Sequence, residues 1–90
     1  MKTLRVYISG TVQGVLFKKY LEEEGNKLRV RGYIRETSNG RMEVVIEGLN
    51  DKVDKMLEIC RVGTKHAQIR NVEVNEIKYQ GFEGFKITKL

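Results

Sequence analysis

Over residues 4 to 12 apolar and polar side chains alternate, with Leu4, Val6 and Ile8 on one side and Arg5, Tyr7 and Ser9 on the other. That period of two predicts a half-buried strand. From 16 to 28 the period lengthens: Phe17, Tyr20, Leu21 and Leu28 follow helical spacing, broken at Glu24, with Lys18, Lys19, Glu22, Glu23 and Lys27 outward. Gly25 inside this helix weakens it by about 1 kcal/mol relative to alanine. A second strand is predicted over 30 to 35, a turn at Thr37-Ser38-Asn39-Gly40, and a returning strand over 42 to 47. The Asn-Gly pair marks the two strands as a hairpin. Gly48 ends the returning strand, Asn50 reads as an N-cap, and Val53, Met56, Leu57 and Cys60 line one face of a second helix that stops near Gly63. Val72 and Val74 alternate within a strand over 69 to 77, and residues 84 to 88 form a short last strand.

Two strand-helix-strand halves of this size predict an α/β chain of the α+β kind. The expected architecture is a ferredoxin-like sandwich, two helices on one face of a four- to five-stranded antiparallel sheet. Ninety residues are expected to make a single domain, 1–90, burying roughly 60–70% of the unfolded surface. No apolar run approaches the roughly 18 residues that cross a bilayer. Charge lies within the first apolar stretch, Met1-Lys2-Thr3-Leu4-Arg5-Val6, which reads as a strand and not as a signal peptide. A cytoplasmic monomer without a membrane partner is the expectation. The single cysteine, Cys60, has no internal disulfide partner and sits at a core spacing. A net charge of +5 permits an acidic partner without demanding one, because Lys and Arg alternate with Glu and Asp along the chain.

The candidate chemistry lies where the first strand meets the first helix, in Gly10-Thr11-Val12-Gln13-Gly14-Val15-Leu16-Phe17-Lys18. Backbone N–H groups curling around such a turn, with the positive end of the following helix, form a concave donor set for phosphate or carboxylate. Lys18 adds a full positive charge. The expected anion-binding residues are Gln13, Gly14, Val15, Leu16, Phe17 and Lys18, and the expected partner is a small anion.

This nine-residue loop, with Gly32-Tyr33-Ile34-Arg35-Glu36 on the second strand, Gly40 at the turn, Glu47-Gly48 before the second helix and Gly84-Phe85 in the last strand, resembles the acylphosphatase family over essentially the whole chain. The family pattern is Gly-x-Val-Gln-Gly-Val-x-Phe-Arg, then Gly-Trp-Val-x-Asn. The resemblance implies hydrolysis of acyl phosphates to carboxylate and phosphate without metal or cofactor. It also implies phosphate binding by the loop amides and the motif arginine, with the strand asparagine orienting water. Both side-chain positions differ here: Lys18 stands for the arginine and Glu36 for the asparagine. Tyr33 stands for the tryptophan, Gly25 for a helix alanine and Arg29 for a glycine just past the first helix.

An ammonium keeps the charge of a guanidinium but loses its planar fork. A carboxylate about 4 Å from bound phosphate is repelled by roughly 4 kcal/mol at an effective dielectric near 20. The chain is therefore expected to be an impaired, pseudoenzyme-like acylphosphatase that keeps its anion loop, with an active acylphosphatase as the alternative. Lys18 and Glu36 are expected to pair with each other across the cradle; Glu36 as a general base and a changed ligand are the other readings. An RNA-binding module is a further alternative, suggested by the aromatic segment 80–87, but Glu83 interrupts its signature and nucleic acid is disfavoured. His66 has no Cys or His at metal-ligand spacing and reads as a surface residue; Glu22-Glu23-Glu24 reads as a solvated face.

Overall fold

Strand β1 (Lys2–Thr11) runs through the sheet and is flanked by β3 (Met42–Gly48) and β4 (Gln68–Ile77), both antiparallel to it. The computed structural model describes residues 1–12 and 14–89. Gln13, one of the expected anion-binding residues, lies outside the described residues. Strand β2 (Arg31–Glu36) pairs antiparallel with β3 through the Thr37–Gly40 turn, and β5 (Phe85–Ile87) completes the order β4-β1-β3-β2-β5. Helices α1 (Val15–Leu28) and α2 (Asn50–Val62) cover one face.

The predicted alternation sets the core. Leu4, Val6 and Ile8 of β1, Met42, Val44 and Ile46 of β3 and Ile34 of β2 are buried together with Phe17, Leu21, Val53, Met56 and Cys60 of the helices. Burial also pushes the Cys60 thiol up to about 12, so it stays an inert core thiol at neutral pH.

Four details depart from the sequence expectation. The sheet is mixed, because β5 runs parallel to β2. The chain leaves β4 at the end of the sheet where β2 begins, crosses to the far edge, and so enters β5 in the β2 direction. Residue Glu22, expected on a solvated face, accepts the Ile87 N–H at 3.1 Å, and Asn26 Nδ2 donates to the Phe85 carbonyl at 3.3 Å. These two α1 side chains satisfy outward groups of β5 and cover what would be an open sheet edge. Helix α2 is capped by Leu49 and not by Asn50, with no side-chain cap hydrogen bond; the Val53 N–H donates to the Leu49 carbonyl at 2.9 Å. Finally, Gly25 is a packing requirement: a Cβ there would lie 2.3 Å from ring carbons of buried Phe85.

Candidate active site

Strand β1 delivers the loop through a local irregularity. Its register with β4 shifts between Ser9 and Gly10, where a Cβ on Gly10 (φ 135°) would lie 2.0 Å from the Gln68 carbonyl oxygen. Only glycine permits that approach. Val12 is 1% exposed and pins the loop to the core, while Gly14 (φ 110°) is the N-cap of α1 and exposed. Gly14 carries no side chain, and the first turn of α1 contains no acidic residue. The amides of Val15, Leu16 and Phe17 open a helix whose positive end meets no capping carboxylate among the described residues.

Phe17 anchors this turn in the core at 5% exposure, whereas Val15 and Leu16 stand out at 62% and 84%. They give the loop an apolar rim. Beside it, Thr11, Leu16, Phe17, Thr64, His66 and Ala67 line a shallow cavity of about 150 Å³. His66 is exposed at its edge.

Lys18 and Glu36 are brought together from different elements. Lys18 lies in the first turn of α1 and donates its N–H to the Gly14 carbonyl at 3.4 Å; Glu36 ends β2. Lys18 Nζ is 3.5 Å from Glu36 Oε1, the pairing that the sequence predicts. Their side chains are 21% and 39% exposed, so water screens the pair and its own contribution to stability is at most about 1 kcal/mol. The ammonium that could hold a phosphate oxygen is engaged by a carboxylate that repels phosphate and offers it no N–H.

Two further carboxylates carry no signal in the sequence pattern. Glu43 and Glu47 alternate outward on β3, as solvent-facing residues do, yet they are 2% and 0% exposed. The Glu43 carboxylate accepts from Tyr7 Oη at 2.8 Å and from Arg35 Nε, with Arg5 Nε at 3.6 Å. Burial pushes its carboxyl up, and the Arg35 and Tyr7 hydrogen bonds more than offset that, leaving it below the usual carboxylate range. The same hydrogen bond raises Tyr7, whose ring is covered by the Arg41 guanidinium at 4.4 Å. Glu47 accepts the backbone N–H groups of Gln80, Gly81 and Phe82 at 2.6, 2.9 and 2.9 Å and the Thr3 hydroxyl at 2.6 Å. Here too burial acts upward and the hydrogen bonds prevail, so its carboxyl is depressed. These residues bind the sheet face opposite the helices and the β4–β5 connection. Among the described residues, no group of three or more His, Cys, Asp or Glu is placed to hold a metal ion, and no helix is long and apolar enough to cross a membrane.

Two helices on one face of a five-stranded, mostly antiparallel sheet, with the glycine-bearing turn between β1 and α1, define a ferredoxin-like α+β protein. The acylphosphatase family model matches residues 4–87. An acylphosphatase of Syntrophobacter fumaroxidans is 43% identical over 84 residues, 92% of this chain and 87% of that protein. One of Syntrophus aciditrophicus is 38% identical over 88 residues, 97% and 92% of the two chains. The crystal structure of acylphosphatase from Bacillus subtilis superposes with a TM-score of 0.92 at 26% identity, covering 98% of this chain and 99% of that one. This chain belongs to the acylphosphatase family.

Proposed function

We propose that the β1–α1 loop binds phosphate-type anions through Gln13, Gly14, Val15, Leu16, Phe17 and Lys18, and that the chain is feeble as a hydrolase of acyl phosphates. The observation that carries this reading is the Lys18–Glu36 contact of 3.5 Å at the two side-chain positions the family pattern reserves for arginine and asparagine. Phosphoryl transfer depends on donors aimed at the equatorial oxygens. Loss of one well-placed donor commonly costs about 10²–10³ in rate. Glu36 adds repulsion to that loss. The reading carries with it a monomer acting in the cytoplasm, without metal or cofactor.

The rival reading is an active acylphosphatase, in which Lys18 still holds the phosphate and Glu36 takes a proton from the attacking water. Of the two aromatics behind the nucleic-acid alternative, Phe85 is 2% exposed beneath Gly25, and Phe82 packs edge-on against Tyr33 at 5.7 Å. The two aromatics do not share a stacking surface.

Titration of the ¹⁵N-labelled chain with inorganic phosphate tests the binding half of the proposal. Amides 14 to 18 are expected to shift, and Glu36→Gln to bind at least about tenfold more tightly, a screened fraction of the Coulomb repulsion. Unmoved loop amides would refute the anion cradle. Equal affinity in wild type and variant would refute the role given to Glu36.

A further inference from the structure

The exchange of arginine for lysine in this loop replaces a permanently charged fork with a primary amine, and an amine can do something a guanidinium does not. We propose that Lys18 is a self-acylation site for acyl phosphates. The inference rests on the reading that the loop binds the phosphate end of such molecules.

An acyl phosphate is a mixed anhydride whose carbonyl carbon is separated from phosphorus by one bridging oxygen. A loop that grips the phosphoryl oxygens therefore delivers an activated carbonyl beside Lys18. Lys18 stands in the first turn of α1, only partly exposed, with Nζ 3.5 Å from Glu36 Oε1, an oxygen in reach of a proton on the attacking nitrogen. The ammonium first gives one proton to water, which frees the electron pair of Nζ. Nζ attacks the carbonyl carbon, and the N–C bond forms. The C–O bond to phosphate then breaks, its electron pair leaving on inorganic phosphate. The second proton passes from the attacking nitrogen by way of Glu36 to the departing phosphate, the first having gone to water, and an amide remains on Lys18. No oxidant, metal or further reactant enters. The same helical turn carries the exposed apolar side chains of Val15 and Leu16.

The product is self-limiting. An acylated Lys18 has no charge, so Glu36 loses its partner and the loop faces an unopposed carboxylate, which weakens phosphate binding. One acyl group per loop is the expected yield.

Lys19, the exposed next residue, serves as an internal control because it meets acyl phosphate only from bulk solution. The whole chain is incubated with benzoyl phosphate and mapped by peptide mass spectrometry. Lys18 is expected to acylate at least about tenfold faster than Lys19, a small part of what fixed proximity can give. Inorganic phosphate is expected to protect Lys18. The N-hydroxysuccinimide ester of benzoic acid, which has no phosphate to be gripped, is expected to show no such phosphate-sensitive preference. Equal labelling of Lys18 and Lys19 by benzoyl phosphate, or a Lys18 preference that phosphate leaves unchanged, overturns the proposal. The phosphate titration separates the two readings. Shifted loop amides with unmodified Lys18 overturn self-acylation alone, whereas unmoved amides overturn the anion cradle and self-acylation together.

Discussion

Gly25 shows how one residue changes meaning between the sequence and the packed chain. Helix propensity alone predicts that Gly25→Ala stabilises α1 by about 1 kcal/mol. The Phe85 ring occupies the space a methyl group would need, and Phe85 is itself buried. Overpacking a filled core costs about 1–3 kcal/mol. Gly25→Ala is therefore expected to lower the Tm, and a raised Tm would show that Phe85 moves aside freely. Arg29 is the converse case. It stands in the left-handed region at φ 60° where the family pattern has glycine, and closes α1 by donating its N–H to the Asn26 carbonyl at 3.1 Å. Both departures were legible as departures in the sequence. What Gly25 accommodates was not, because Phe85 is sixty residues away and arrives through a tertiary contact. The Lys18–Glu36 pair was legible for a different reason: both residues fall on motif positions whose places in the fold the loop and hairpin spacing already predict.

At the scale of elements, strand and helix patterns were read correctly to within a residue or two, but the direction of β5 was not. A three-residue strand has no directional signal in its alternation. Its direction comes from the connection before it, and Glu47 holds that connection by accepting three consecutive backbone N–H groups. Glu47→Gln replaces an acceptor oxygen with an N–H₂ group facing donors, and is expected to cost about 2–3 kcal/mol at neutral pH. The pH dependence has a definite sign. The folded-state carboxyl is depressed below its ordinary value of 4.5, so its stabilisation is present above that pH and is lost as pH falls through the folded value. The Tm gap between wild type and Glu47→Gln should thus narrow as pH drops below 4.5. A gap that stays constant into acid would mean that the Glu47 charge does not hold the connection. Glu43 and Glu47 escaped the sequence reading because outward alternation predicts exposure. Here the open face is roofed by Arg5, Arg35 and Tyr7 at one place and by residues 80–82 at the other.

Across the whole molecule, an extent of 30 × 25 × 20 Å leaves every residue near the surface or one layer beneath it. The candidate site and the buried carboxylates nevertheless lie on opposite faces of the sheet. The first lies where β1 feeds α1 and β2 ends. Glu43 and Glu47 brace the opposite face of the sheet and the β4–β5 crossing. Changes at Lys18 and Glu36 should accordingly alter chemistry with little effect on folding, since an exposed pair contributes at most about 1 kcal/mol. That separation makes a rescue experiment interpretable. The central claim is an intact phosphate cradle disabled by two side chains, and benzoyl phosphate hydrolysis by the wild type and by the Lys18→Arg, Glu36→Asn double variant tests it most directly. The account predicts little or no turnover in the wild type and at least about a hundredfold gain in the double variant, the scale of one restored donor. Wild-type turnover equal to that of the double variant would contradict it, and would establish that an ammonium and a carboxylate serve this loop as well as a guanidinium and an amide.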